Sequence, residues 1–275
     1  MPRQSDIIGF ESVDALSCGH TLCSHTPFNG APRLMPTIML LQTPPPEFIR
    51  SQIQQMVVDY VTDISMVAIA PSNPLYNLYQ YGVGYEVHLY LNAMDGSQNL
   101  TVELIVALDD EDPETVLGFL LYLPVQDDPQ ACAVAYMAVR ESHRRQGIAR
   151  SMLNKMVGRY PHAELYCVVG KVAYFEALGF QVLGARGPQV IMNTLDHGTD
   201  GLLAVMDIAP IYSLVEVRQI HAYLLKQHGK RAMVDAEKQR DRHLDRMTRD
   251  ARAFAEQRLE NPGVPEGVAQ ASRLH

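Results

Sequence analysis

The sequence of 275 residues has no Trp, little Cys, no excess of positive charge and no long hydrophobic run. Its four cysteines are too few for a disulfide framework in a chain of this length. A formal net charge of −8 argues against a broad nucleic-acid-binding surface, which needs an excess of Lys and Arg. The longest apolar runs, such as 116–123, are far shorter than a membrane span, and residues 1–14 lack the segments of a secretory signal. We therefore expect a cytoplasmic protein without a membrane-spanning segment.

The pattern of residue types divides the chain into three predicted regions. Residues 1–36 show no sustained hydrophobic period and are interpreted as an irregular N-terminal extension. Residues 37–209 alternate strand-like and helix-like segments and are predicted to form the main domain. Residues 210–275 form a charged helical extension, with an interruption expected at Gly229 and a stop at 261–263.

The first half of the main domain predicts an antiparallel meander. A strand-like run is followed by three prolines and a segment with apolar residues at helical spacing, 46–61. Asp95-Gly96 separates two β-rich runs and predicts a hairpin turn between them. The strands predicted in this half are 37–41, 85–92, 100–108, 115–125 and 131–139.

The second half of the main domain changes to alternating helices and strands. A helix is predicted over 147–159, because apolar residues recur on one face and Gly158 and Pro161 end the pattern. The remaining predicted elements are a buried strand at 164–169, a short helix at 171–178 and strands at 180–183, 190–195 and 202–208.

The segment that joins the last meander strand to the next helix has the properties of a phosphate-binding loop. The first four N–H groups of a helix have no partner inside it and lie at its positive end. Gly147 allows the backbone to approach an anion closely, Ala149 is small, and Arg144 and Arg145 add positive charge. Neither the P-loop signature nor the Rossmann signature is present. The alternative is a basic turn before a helix with no ligand.

Arg144-x-x-Gly147-x-Ala149 resembles the cofactor motif of the GNAT superfamily of N-acetyltransferases. Residues 171–180 resemble the second motif of that family, in which an Ala-containing helix ends in Tyr-x-x-x-Gly-Phe. The order of elements also matches, with the strand at 85–92 as a departure. The resemblance implies an α+β fold with a mixed, mostly antiparallel central sheet flanked by helices, here with a helical C-terminal extension.

The resemblance also implies acetyl-CoA as the co-substrate. In the family the loop amides hold the pyrophosphate, the last meander strand orients the acyl group, and the following strand, here 165–169, diverges to admit the cofactor. The residues that correspond to the cofactor site are Met137, Ala138, Val139, Arg144, Arg145, Gln146, Gly147, Ile148 and Ala149.

The catalytic groups are less readily assigned, because Phe175 stands where the family has its general-acid Tyr. Tyr174 and Tyr136 are the candidate acids, with Tyr166 as a further candidate, and a packing role is the alternative for Tyr174. No carboxylate stands out as the base; Glu103 and Glu141 are equally arbitrary choices.

Two functions follow from these motifs. One is an N-acetyltransferase that moves an acetyl group to a primary amine by direct attack in a ternary complex. The other is a non-catalytic acyl-CoA-binding module with a regulatory or interaction role. The acceptor, an amine-bearing small molecule, peptide or protein, cannot be read from the sequence. The acidic loop 109–112 is consistent with a cationic acceptor or with solubility alone.

A cluster of potential zinc ligands lies in the N-terminal extension, and its four residues are Cys18, His20, Cys23 and His25. One tight cluster would struggle to close a tetrahedral site, so we predict no metal.

The C-terminal extension carries a short apolar stripe, which consists of Leu244, Met247, Ala251 and Phe254. It is too short for a coiled coil. The stripe could pack on the main domain or on a second copy, and we expect a homodimer or partner contact through this helix.

Overall fold

Seven strands form one mixed sheet in the computed structural model, which describes residues 36–260. The strands are β1 Thr37–Leu41, β2 Glu103–Leu108, β3 Val116–Pro124, β4 Ala131–Val139, β5 His162–Cys167, β6 Gln181–Arg186 and β7 Gln189–Asn193. Their order is β1-β2-β3-β4-β5-β7-β6, and only the β4–β5 pair is parallel. The predicted fold class is confirmed.

Helices cover both faces of the sheet. They are α1 Glu47–Asp59, α2 Val61–Ile64, α3 Tyr76–Ala93, α4 Ile148–Val157, α5 Val172–Glu176 and α6 Val215–Glu260. Short 3-10 helices lie at Glu141–His143, Val169–Lys171 and Ala209–Ser213. Within residues 36–260, no helix has the length and apolar character needed to cross a bilayer.

Two apolar cores result from the alternation of side chains along the strands. In β2, Leu104 and Val106 face α1 and α3, whereas Ile105 and Ala107 face α4. Because both faces are covered, β2, β3 and β4 are buried along almost their whole length. This explains why their sequences are continuous apolar runs.

The prediction of a strand at 85–92 is wrong, since these residues belong to α3. Tyr and Val are typical of strands, but Val83, Val87, Tyr90 and Leu91 recur at helical spacing and are buried in the α1/α3 core. Burial of this apolar face favours a helix over the predicted strand. The predicted hairpin turn instead follows the end of α3, with Gly96 at φ +77°.

The prediction of a strand at 202–208 is also wrong. The segment is irregular, yet its residues 203–206 pack against the α1/α3 core. The Met206 N–H donates to Tyr90 Oη at 3.3 Å. The segment is therefore apolar because it covers the core, although it pairs with none of the described strands.

The long helix α6 is kinked at Gly229, as predicted, where φ is +81° and ψ is +157°. Around the kink, Leu224 and Met233 pack with Leu75 at the start of α3. At the other end of α6, Ala251 and Ala255 enter the α4-side core. The helix thus contacts both faces of the domain.

The apolar stripe of the C-terminal extension packs against its own chain, since Ala251 and Phe254 contact the α4-side core. Homodimerisation through α6 stays a prediction. The cysteine–histidine cluster at 18–25 and the predicted stop at 261–263 lie outside the described residues.

Candidate functional site

A cleft opens between β4 and β5, the two parallel strands. Their pairing joins only Ala131–Ala133 to His162–Glu164, and within the described strands it ends there. Residues 134–139 of β4 therefore have an unpaired edge toward β5. The opposite edge of β5 pairs with β7. The expected divergence of the two strands is confirmed. The backbone of Met137, Ala138 and Val139 lies along this open edge.

A β-bulge interrupts β4 inside the cleft. Leu121 pairs with Tyr136 and Tyr122 pairs with Val134, so Ala135 is an extra residue. The bulge places Ala135 and Tyr136 in succession on the α1/α3 face, whereas strict alternation would have turned Tyr136 toward α4.

The predicted cofactor loop lies at the C-terminal end of β4 and leads directly into α4. Arg145 and Gly147 have positive φ values of 60° and 82°. Gly147 is the N-cap of α4 and no side chain caps the helix, so the amides of Ile148, Ala149 and Arg150 are directed out of its first turn. Left-handed residues next to such amides form a concave anion-binding surface.

Arg144 is directed away from that surface. Its guanidinium contacts Asp63 Oδ2 at 3.1 Å and lies 4.8 Å from the centre of the Tyr60 ring. Tyr60 Oη also accepts the N–H of Glu141 at 3.0 Å. The α1–α2 junction thus braces the loop, and the Arg144 charge is shared with Asp63.

The candidate general acids lie on different faces of the sheet. Tyr136 is fully buried on the α3 side. Tyr174 is half-buried on the α4 side, with its ring 5.1 Å from that of Phe175. Phe175 is fully buried and packs against Phe180 at 5.9 Å, so it is a core residue. Tyr166 donates to Glu164 at 2.8 Å.

Glu86 is a buried ionisable residue that the sequence did not single out. It lies on α3 with 5% of its surface exposed, and burial raises the pKa of its carboxyl to about 8, although the Tyr136 hydroxyl opposes that shift. The two groups are close enough to influence each other's pKa, but the Tyr136 hydroxyl lacks a partner at hydrogen-bond geometry among the described residues. Helical spacing would have placed Glu86 beside Val83, Val87 and Tyr90; the strand prediction concealed this.

Glu103 has a different environment from Glu86. Tyr122 donates to its carboxylate at 2.7 Å, Gln42 at 2.7 Å and Arg159 at 2.9 and 3.1 Å. Burial alone would raise the pKa of Glu103, but these hydrogen bonds outweigh burial and hold the pKa below its usual value. The Glu103 carboxylate thus has a structural role, because its hydrogen bonds connect β2 to β3 and to the residues that follow α4.

A cavity of about 490 Å³ lies between α3, the irregular segment before α6, and α6 itself. Glu86 is one of the residues that line it, and the loop after α2 contributes 65–67. No residue of the acidic loop 109–112 lines this cavity. Instead, Asp110 and Asp112 accept hydrogen bonds from Thr37 and Thr115.

Residues 73–180 match the model of the acetyltransferase (GNAT) family. No curated protein matches the sequence significantly. Among solved structures, the GNAT family N-acetyltransferase YhbS from Escherichia coli, in complex with CoA, is 20% identical, with 66% of this chain and 94% of that chain covered and a TM-score of 0.41. An acetyltransferase related to histone acetyltransferase HPA2, from Corynebacterium glutamicum, is 16% identical, with coverages of 61% and 99% and a TM-score of 0.41. Nourseothricin acetyltransferase is 15% identical over 34% of this chain, which spans 64% of that protein, with a TM-score of 0.30.

Proposed function

Since residues 73–180 of this chain belong to the acetyltransferase (GNAT) family, we propose that the protein transfers an acetyl group from acetyl-CoA to a primary amine. Transfer would occur by direct attack of the amine in a ternary complex. The acceptor would bind in the cavity beside Glu86, and the cofactor would bind in the cleft between β4 and β5.

The cofactor assignment is supported by the loop at the start of α4. The uncapped amides of Ile148, Ala149 and Arg150 would receive the pyrophosphate, and the positive end of the helix would favour its charge. From there the acyl arm would follow the open edge of β4, where backbone groups of Met137–Val139 have no β5 partner. Acetyl-CoA would supply the thioester, and these backbone groups of β4 and α4 would hold the cofactor in position.

Acetyl transfer requires a neutral amine, so a base must take one proton from the ammonium form. Glu86 is suited to this role because its raised pKa, about 8, makes its carboxylate a stronger base than an exposed Glu. The amine nitrogen would then attack the thioester carbon and release its second proton to solvent as the amide forms. The C–S bond would break, and the thiolate would leave with the electron pair.

A general acid would return a proton to the sulfur. Tyr136 is the first choice, because its hydroxyl is near Glu86 and has no partner at hydrogen-bond geometry among the described residues. Burial raises the pKa of this hydroxyl, which keeps its proton at neutral pH and makes it a weaker acid than an exposed Tyr. Tyr174 is the alternative, on the other face of the sheet. A thiolate is a tolerable leaving group, so we expect loss of either hydroxyl to cost less activity than loss of Glu86.

The observation that carries the proposal is the structure of β4 at its bulge. At the same point along the strand, one edge is open toward β5, and the side chain of Tyr136 lies near a buried carboxyl with a raised pKa. Such a carboxyl is typical of catalytic bases.

A thiol-release assay with acetyl-CoA and a panel of primary amines tests this function. Glu86→Gln should lower kcat at pH 8 by about 100-fold or more, because general base catalysis typically contributes 10²–10⁴-fold. Binding of CoA, measured by calorimetry, should not change.

Glu141→Gln is the matched control, since Glu141 is an exposed carboxylate beside the loop. Activity that survives Glu86→Gln but disappears in Glu141→Gln would contradict the assignment of the base. Binding of acetyl-CoA without turnover of any amine would favour a non-catalytic acyl-CoA-binding module.

A further inference from the structure

We infer that the acceptor is a monoamine whose amino group is carried on an apolar body, and that the cavity beside Glu86 selects it. This inference rests on the proposed acetyl transfer and adds the chemical class of the substrate.

The walls of the cavity are predominantly apolar. α3 contributes Leu75, Leu78 and Val83, the segment before α6 contributes Ile208 and Ile211, and α6 contributes Val217. A volume of about 490 Å³ lies within the range of about 300–1,000 Å³ typical of small-molecule sites. Apolar walls of this kind give binding energy to the apolar body of a ligand.

One carboxyl lies deep in this cavity. Glu86 is 5% exposed, whereas the second acid of the lining, Glu237, is half-buried on α6. A single ammonium beside Glu86 would give the charge a partner, and burial of both groups would strengthen their attraction. This arrangement fixes the amino end of the acceptor at Glu86.

The other charged groups of the lining are basic. Arg218 and His221 are exposed on the first turns of α6, and Arg240 is half-buried farther along it. Arg240 also donates to Asp241 at 2.7 and 2.9 Å. An acceptor with several ammonium groups would place its outer charges near Arg218 and Arg240, which disfavours polyamines and lysine-rich peptides.

Gly82 provides a direct way to change the size of the cavity. It lines the cavity, and a Cβ built on it meets no heavy atom within 4 Å, so a side chain at this position would begin in open space. Gly84 is the matched control: it lies on the same helix, faces Val58 and Gln54 on α1, and is not part of the lining.

The experiment compares 2-phenylethylamine and hexylamine with spermidine and an unblocked lysine peptide. For the two apolar monoamines, kcat/KM should exceed that for spermidine and the peptide by at least tenfold. Gly82→Leu should lower kcat/KM for the monoamines by at least tenfold, and Gly82→Ala by less. Gly84→Ala should leave it within twofold.

The inference is overturned if spermidine or the peptide is the better acceptor, or if Gly82→Leu has no more effect than Gly84→Ala. Failure of the proposed function is seen separately, as absence of turnover with every amine. In that case calorimetry with 2-phenylethylamine tests whether the cavity binds an apolar monoamine. Binding that Gly82→Leu abolishes and Gly84→Ala retains supports the inference, and absence of binding overturns it.

Discussion

At the scale of single residues, the proposed chemistry depends on one extra residue in β4. Ala135 bulges out of the pairing with β3, and as a result Tyr136 points toward α3 and Glu86. A regular strand would have sent the Tyr136 side chain into the α4-side core and left Glu86 without this neighbour.

The stability of the protein should depend on pH through Glu86. Its folded-state pKa, about 8, is higher than the ordinary value of 4.5, so folding favours the protonated form. The stability that the Glu86 carboxyl contributes is therefore fully present below about pH 4.5. This contribution is lost as the pH rises toward and through 8. Glu86→Gln removes this dependence, and at pH 9 it should be more stable than the wild type by roughly 3–5 kcal/mol, measured by urea unfolding from pH 5 to 9.

Glu103→Gln is the control for this pH series, because folding shifts the pKa of Glu103 in the opposite direction from that of Glu86. The pKa of Glu103 is lowered in the folded protein, so its contribution is present above the ordinary pKa and is lost as pH falls through the folded value. The variant should be less stable than the wild type at pH 7 by about 1–3 kcal/mol. If the two variants shift stability at pH 9 in the same direction, the environment assigned to Glu86 is wrong.

The conformation of the cofactor loop depends on Gly147. Its φ of +82° is in the left-handed region, which costs a residue with a Cβ about 1–2 kcal/mol. In Gly147→Ala the loop would relax in the free protein, and binding would have to restore its shape. We expect affinity for CoA to fall about tenfold, by calorimetry, because 1.4 kcal/mol corresponds to that factor.

Gly96→Ala is the matched control for the loop. Gly96 has φ +77°, is exposed like Gly147, and follows the end of α3 outside the loop. Gly96→Ala should lower the free energy of unfolding by about as much as Gly147→Ala, and it should leave the affinity for CoA unchanged. Equal losses of affinity in both variants would show that the effect is global.

At the scale of elements, the sequence predicts most of the sheet and α4, because their apolar patterns are long and their ends are marked by Gly, Pro and acidic turns. It does not predict α3, where Tyr and Val favour a strand and packing against α1 favours a helix. It also cannot predict the bulge at Ala135, since a buried run such as 131–139 contains no alternation to be interrupted. Glu86 was therefore hidden by the first error, and the face of the sheet on which Tyr136 lies could not be predicted.

The kink in α6 depends on Gly229, which adopts φ +81° and ψ +157°. This region is accessible almost only to Gly. Gly229→Ala should lower the free energy of unfolding by about 1–3 kcal/mol, measured by urea denaturation. His228→Ala, an exposed helical neighbour, is the control and should change stability by less than about 0.5 kcal/mol. An unchanged midpoint for Gly229→Ala would contradict the kink.

At the scale of the whole molecule, α6 ties the two faces of the domain together. It closes the cavity on the α3 side, and its final turns lie on β6 and against α5. There the guanidinium of Arg258 donates to both oxygens of Glu176, at 3.0 and 2.7 Å. Glu176 directly follows the core residue Phe175, so this pair links α6 to the second motif.

A double-mutant cycle on Arg258 and Glu176 tests that link. The pair is bidentate and its side chains are mostly buried, so we expect a coupling energy of about 1 kcal/mol. The control is Arg231 with Asp235 on the same helix, a 3.9 Å pair with side chains 98% and 64% exposed. Its coupling should be close to zero. Equal coupling in the two cycles would mean that the end of α6 is not held against α5.

The position of α6 in the chain has a consequence for synthesis. Every strand of the sheet and the whole cofactor loop precede residue 194, whereas Val217, Arg218 and Arg240 of the cavity wall follow it. A nascent chain can therefore complete the sheet and the loop before α4 while the α6 wall of the cavity is still inside the ribosome. The cavity is complete only once α6 has emerged and folded back against α3, so the proposed acceptor site forms after the loop at the start of α4.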